Sequence, residues 1–370
     1  MSDTVLQLPL LTALPTGPLP ALDHRARGTS FHTLAVRSVL NGPASTGMGF
    51  WSLNPYVGCE FGCTYCYARD THRWTVERSV ESVGAVGAVP TLPTLPTLPT
   101  LPTLPTLPPW LAFERRILVK TDAPAVLART LEPAKLAGHT LVIGTATDPY
   151  QPAERRFRIT RQVLEHLVRL RGLSIGLITK SPLVTRDLDL LRRLAERHEV
   201  SVNISLATVD PRLARRLEPR SPAPHARLRA LARLTGAGIH AGMLIAPILP
   251  GITDDRAGLA ALMAAGKAAG ARYVVGSALR LGPAARHRFL PFLAAEFPEL
   301  AERYRRRYGA VEGPDARQQP GRDYTDALQR RLQRLQREYG FPVSEGMRRR
   351  QQLEGRLPRF EGMDGQGTLL

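Results

Sequence analysis

Six short apolar runs, separated by stretches of helical periodicity, constrain the fold of this chain more than any other feature: residues 50–54, 141–145, 173–179, 200–206, 240–245 and 272–277. Five of them are almost continuously hydrophobic, as strands buried on both faces are. Between them the period changes. Residues 160–171 place Val163, Leu164, Leu167 and Val168 on one helical face, and residues 186–198 do the same with Leu188, Leu191 and Leu194. This alternation predicts a parallel sheet with right-handed crossovers. Six units are too few for a closed eightfold barrel, so the expected fold is α/β: a partial (β/α)6 TIM-like barrel with a mostly helical C-terminal extension.

In βα barrels the chemistry gathers at the C-terminal strand ends. The first predicted strand leads into a loop that holds all three cysteines of the chain, Cys59, Cys63 and Cys66. The second runs into Gly144-Thr-Ala-Thr-Asp-Pro-Tyr-Gln-Pro-Ala-Glu154, and the third ends at Thr179-Lys180-Ser181. The fourth carries Asn203 and Ser205, with Glu218-Pro219-Arg220 following; the fifth ends near Pro247, and the sixth reaches Arg280.

Three thiols in one loop suit a cubane iron–sulfur cluster with one iron left open for a ligand. A structural zinc site needs four ligands, so it would have to recruit His72 or another histidine. An odd cysteine count confined to one loop does not form a disulfide framework. No phosphate loop and no zinc-protease helix is present, and the nine histidines lack ligand spacing.

The spacing Cys59-x3-Cys63-x2-Cys66, with aromatic Tyr65 before the last cysteine, resembles the signature of the radical S-adenosylmethionine (SAM) superfamily. The resemblance narrows through Gly144-Thr-x-Thr-Asp-Pro-Tyr-Gln-Pro, Thr179-Lys-Ser, Arg186-Asp-x-Asp-Leu-Leu191 and Leu217-Glu-Pro-Arg220, spanning about residues 50–297. These blocks are similar to the spore photoproduct lyase-like branch, chiefly its bacterial members of unassigned substrate. The resemblance implies a [4Fe-4S] cluster on the three cysteines, SAM chelated by the open iron, and reductive cleavage to a 5′-deoxyadenosyl radical. It also implies an electron donor of flavodoxin or ferredoxin type. SAM carries a carboxylate, an ammonium, ribose hydroxyls and an adenine. Lys180 or Arg220 suits the carboxylate, Asp148 and Thr145 the ammonium, Ser205 the ribose and Tyr65 the adenine.

One departure bears on the substrate. Members that repair the thymine lesion use a further cysteine near the end of the second strand as hydrogen donor, and this chain has no fourth cysteine. Any quenching side chain would be a tyrosine, with Tyr56, Tyr67 and Tyr150 as candidates, or hydrogen returns from 5′-deoxyadenosine or an outside reductant. Lesion repair of the lyase type and a noncatalytic, metal-bearing nucleic-acid binder remain as alternative functions.

The net charge of +18 points to nucleic acid, because phosphate neutralisation drives nonspecific affinity. Nearly all of that charge is arginine, alongside many Ala, Gly and Pro, which an arginine-biased genome explains equally well. Residues 1–48 read as an N-terminal extension without a basic leader, residues 49–297 as the barrel and residues 298–370 as a basic helical region. In that last region Leu328, Leu332 and Leu335 mark an amphipathic helix over 324–339, preceded by Arg303, Arg305, Arg306 and Arg307, while the final fifteen residues are expected to be disordered. Within the barrel, residues 90–109 carry six Pro-Thr-Leu triplets and two closing prolines, a polyproline II pattern of roughly 55 Å. No apolar run reaches membrane-span length, and the expected location is cytoplasmic. Oligomeric state is left open.

Overall fold

The computed structural model describes residues 21–24, 28–46, 49–71, 109–309 and 318–343. The Pro-Thr-Leu triplets, His72 and the last residues of the chain lie outside this set. The strands are β1 (Ala21–His24), β2 (Ser30–Thr33), β3 (Leu40–Asn41), β4 (Trp51–Leu53), β5 (Tyr56–Val57), β6 (Arg116–Val119), β7 (Thr140–Ile143), β8 (Ser174–Thr179), β9 (Glu199–Ser205), β10 (Ala241–Ile248) and β11 (Val274–Ala278).

The larger sheet has seven strands in the order β11-β10-β9-β8-β7-β4-β3. Six of them, β4 and β7 to β11, are parallel, with pairs such as Trp51 to Leu141, Ile175 to Val200 and Met243 to Val274; β3 adds antiparallel to the far edge. These six are the apolar runs of the sequence, each within a few residues of its expected ends. The sheet is that of the partial (β/α)6 barrel. Its fully buried leucines, isoleucines and valines pack against Val163, Leu164 and Leu167 of the helix Ile159–Leu167, and against Leu191 and Leu194 of the helix Leu188–Ala195.

The second of these helices starts later than the periodicity predicts. A 3-10 segment, Pro182–Asp187, precedes it, because the buried Asp187 carboxylate is claimed by Arg161 and Arg186, and Ser181 accepts from the Leu183 amide at 3.2 Å. A second sheet of order β1-β2-β6-β5 has no counterpart in the sequence reading. Its strand β2 brings Phe31 into the core, so part of the N-terminal stretch is built into the fold.

The expected C-terminal helix is Arg322–Glu338, with Leu328, Leu332 and Leu335 buried. It packs on the edge strand β11, where a Cβ at Gly276 would lie 2.8 Å from the Leu332 side chain. Gln336 donates to the Val274 carbonyl at 2.7 Å and Gln329 to that of Gly276 at 3.3 Å, covering groups that an open sheet edge leaves bare. A second apolar cluster joins the cysteine loop to the helices Pro283–Glu296 and Ala301–Tyr308 through Phe289, Leu293, Tyr304 and Tyr308. Among the described residues no helix is long and apolar enough to cross a membrane.

Candidate active site at the cysteine loop

The chain leaves β4 at the C-terminal mouth of the barrel, turns through β5 and enters the cysteine loop at Gly58. That residue has φ of 86°, and a Cβ there would lie 2.8 Å from the Phe113 carbonyl oxygen. Only glycine meets both demands. The Cys59 amide then donates to the same Phe113 carbonyl at 2.9 Å. Gly62, also at positive φ, leaves room for the Arg220 guanidinium and the Glu114 carboxylate beside it.

Two distant sequence blocks hold the loop. From the second strand end, Gln151 donates to the Gly58 carbonyl at 3.1 Å and accepts from the Glu60 amide at 3.0 Å, while Thr147 donates to the same Gly58 oxygen. After the fourth strand, the Leu217 carbonyl receives both the amide and the hydroxyl of Thr64, at 3.0 and 3.1 Å. Ser221 places its hydroxyl 3.5 Å from the Cys63 sulfur.

All three cysteines are free; Cys59 and Cys63 are buried and Cys66 is half-buried. Burial pushes every thiol upward, Cys63 to about 11, with the Lys180 charge working in the opposite direction there. A buried thiolate needs a compensating cation, which an iron cluster supplies. Arg69 and Lys180 add positive charge around the loop and offset part of the effect of burial on Cys66. Among the described residues no three His, Cys, Asp or Glu side chains gather on a position for a single ion. His72, which the tetrahedral zinc reading would recruit as fourth ligand, lies outside those residues; a cubane differs in spreading its thiolates over several irons.

Behind the loop lies a buried charge network that the sequence reading did not assign. Glu218 is 2% exposed; it accepts from the Tyr65 hydroxyl and from Arg227, and lies 3.9 Å from the Lys180 ammonium. Arg227 is 1% exposed and also donates to the carbonyls of Pro222 at 2.7 Å and Ser205 at 3.1 Å. Burial alone would raise the Glu218 carboxyl, yet Arg227 and Lys180 hold it below its usual range. Burial likewise works against the Lys180 charge, and Cys63 and Glu218 more than reverse it. The Lys180 ammonium sits 5.8 Å from the centroid of the Tyr65 ring.

Tyr65, Lys180 and Ser205 thus belong to one network, with the Ser205 hydroxyl donating to the Ala246 carbonyl at 3.3 Å. Asp148 joins the ends of β7 and β8: its carboxylate accepts from Thr179 at 2.6 Å, from the Tyr150 amide at 2.9 Å and from the Lys180 amide at 2.7 Å. Thr145 shares a hydrogen bond of 2.6 Å with Ser52 and gives its carbonyl to the Tyr67 hydroxyl. Arg220 stands apart, drawn to Glu114. Of the three tyrosines considered as quenchers, Tyr56 and Tyr150 are fully buried, Tyr56 donating to Glu154, whereas Tyr67 is half-buried next to Cys66.

The site is thus a loop of three free cysteines at the C-terminal mouth of a parallel partial barrel. Residues 53–263 match the radical SAM superfamily, and the chain belongs to it. Uncharacterized proteins of Mycobacterium tuberculosis and Mycobacterium bovis are each 33% identical over 283 residues, covering 76% of this chain and 74% of theirs. An uncharacterized protein of Methanocaldococcus jannaschii is 27% identical over 202 residues, covering 55% of this chain and 61% of its own. The fold is that of spore photoproduct lyase. A single-residue variant of that enzyme superposes with a TM-score of 0.55 at 15% identity, covering 84% of this chain and 79% of the lyase. A variant with bound AdoMet and dinucleoside spore photoproduct gives 0.52 at 15% identity, covering 78% and 74%.

Proposed function

We propose that this chain is a radical SAM enzyme that holds a [4Fe-4S] cluster on Cys59, Cys63 and Cys66 and cleaves S-adenosylmethionine reductively. One observation carries this reading: the loop of three free thiols is fastened by the blocks after the second and fourth strands, and the cation of the third strand end faces the same loop. Cys59, Cys63 and Cys66 would hold the cluster, which would supply the electron for reductive cleavage of the SAM sulfonium.

The chain's own residues bind and orient. Lys180, rather than Arg220, meets the SAM carboxylate, because its ammonium lies over the Tyr65 ring whereas Arg220 lies against Glu114 on another side of the loop. Tyr65, its hydroxyl anchored on Glu218, offers a ring fixed in place for the adenine. Ser205 borders the ribose and Thr145 the ammonium. Asp148, whose carboxylate is taken by three internal donors, acts by positioning the backbone of residue 180. Glu218 and Arg227 are positioning residues for Tyr65, Lys180 and Ser205.

Tyr67 is the side chain best placed to return hydrogen to a substrate radical. The charge favours a nucleic acid as substrate, a flavodoxin or ferredoxin type protein supplies the electron, and a reducing cytoplasm suits the free thiols. Anaerobic reconstitution tests the reading. The loaded protein should contain about four irons and four sulfides per chain and release 5′-deoxyadenosine from SAM on reduction. Metal without SAM cleavage would favour the noncatalytic binder instead.

A further inference from the structure

Glu114 lies on the helix Pro109–Arg115, against the outer side of the cysteine loop, and three arginines converge on it. Arg69 approaches at 2.6 Å, Arg220 makes a direct ion pair and Arg288 lies 3.6 Å away. One carboxylate cannot neutralise three guanidinium groups. Arg69 is fully buried and also donates to the carbonyls of Cys63 and Trp110.

The other two differ. The side chains of Arg220 and Arg288 are 34% and 28% exposed. Their remaining N–H groups find no protein partner among the described residues. The Arg288 guanidinium also lies 5.9 Å from the ring centroid of the half-exposed Trp110. Two partly exposed guanidinium forks, held by a shared carboxylate and carrying surplus positive charge, therefore border the loop that bears Gly62 and Cys63.

We propose that Arg220 and Arg288 form a phosphoryl-binding subsite beside the cysteine loop. Planar five-donor forks suit the oxygens of a tetrahedral oxyanion, and charge-assisted bonds to such groups are the strong ones. Glu114 holds the two forks in register and stops them from repelling each other apart. A phosphodiester of a nucleic acid and the terminal phosphate of a small molecule share this chemistry. That the bound group belongs to the substrate rests on the radical SAM reading; the anion site itself does not.

The test is titration calorimetry of the full-length protein at low salt with inorganic pyrophosphate, in the absence of SAM and reductant. The parent should bind it. Arg288→Gln should weaken binding by about tenfold or more, and Arg288→Lys should recover only part of the loss, because an ammonium is not a fork. Arg193→Gln makes the same charge change on an exposed face of the helix Leu188–Ala195 and should leave binding unaltered. The Arg288 variants should keep the parent circular dichroism spectrum. A parent that fails to bind, or equal weakening by Arg288→Gln and Arg193→Gln, overturns the subsite and leaves only the overall field of a +18 chain. An oligothymidylate without terminal phosphates separates the sources. Weakening by the same factor in Arg288→Gln assigns a phosphodiester, and binding of pyrophosphate alone assigns a terminal phosphate. No arm requires SAM cleavage, so failure of the radical reading would not be mistaken for failure of the site.

Discussion

The interior of the sheet and the mouth of the barrel are both buried, yet they are built by different rules. Between the strands and their helices the contacts are aliphatic, as where Val202, Ile204, Leu231 and Leu234 are all at most 1% exposed. Such contacts are nondirectional, and side chains of similar volume substitute for one another at modest cost. At the mouth, Arg69, Glu154, Glu218 and Arg227 are equally buried but charged. Each must find a named partner, because a buried charge left alone costs several kcal/mol. The core therefore specifies the fold through volume, and the mouth specifies the site through pairing.

The largest expected effect falls on the loop that the paired charges surround. Replacing any one of Cys59, Cys63 and Cys66 by Ala should abolish cluster assembly and SAM cleavage, since no spare thiol exists in the chain. Iron and sulfide analysis after reconstitution reads this directly. Full cluster absorbance with retained cleavage in a single variant would sink the assignment of the loop.

Next comes the comparison itself. Glu218→Gln keeps shape and a hydrogen-bonding oxygen but strips Arg227 of its countercharge, and breaking such a pair costs about 3–5 kcal/mol. Ile204→Val, deleting one methylene in the sheet, should cost about 0.5–1.5 kcal/mol. Urea unfolding of both variants measures the gap. Equal losses would show that the mouth is no more exacting than the core.

The same contrast explains what could be read from the chain beforehand. Apolar runs mark the six parallel strands because burial on both faces writes itself locally as hydrophobicity, and β8, expected over residues 173–179, is observed at Ser174–Thr179. The second sheet leaves no such mark, because β2 and β6 are four residues each and pair with one another across more than eighty positions, with no alternation to announce them. Cysteine spacing made the loop legible. Glu218 stood in a recognised block without a role, and Arg227 looked like one more arginine on the arginine-rich helix Pro224–Gly236. Tyr65, the partner of Glu218, is 153 positions away, and only the fold of the barrel brings the two together.

A smaller, local effect is expected at Lys180. A cation contacting the SAM carboxylate contributes about 1.5–3 kcal/mol, so Lys180→Ala should weaken SAM binding by roughly ten- to a hundredfold. Cluster content should not change, because the contact that ties β8 to Asp148 uses the amide of residue 180, which alanine retains. Equilibrium binding of SAM to the reconstituted variant checks the first point and iron analysis the second. Undiminished affinity would remove Lys180 from the site, and loss of iron would make it part of the framework.

The smallest effect is expected where neither rule applies. Residues 90–107 carry only Pro, Thr and Leu, with no titratable group to pair. The two strands of chain that flank the repeat-bearing insertion are already joined without it: Arg69 binds Glu114 at 2.6 Å and also donates to the Trp110 carbonyl. Excising residues 90–107 and rejoining the ends with a short flexible linker should therefore leave cluster content and SAM cleavage near those of the parent, since the repeat supplies no charged group to the pairing that holds the mouth. Soluble yield, iron content and 5′-deoxyadenosine release together decide it. Insoluble protein or lost cleavage would mean that the repeat supports the mouth of the barrel, and that the pairing of Arg69 with Glu114 is insufficient to hold the cysteine loop closed.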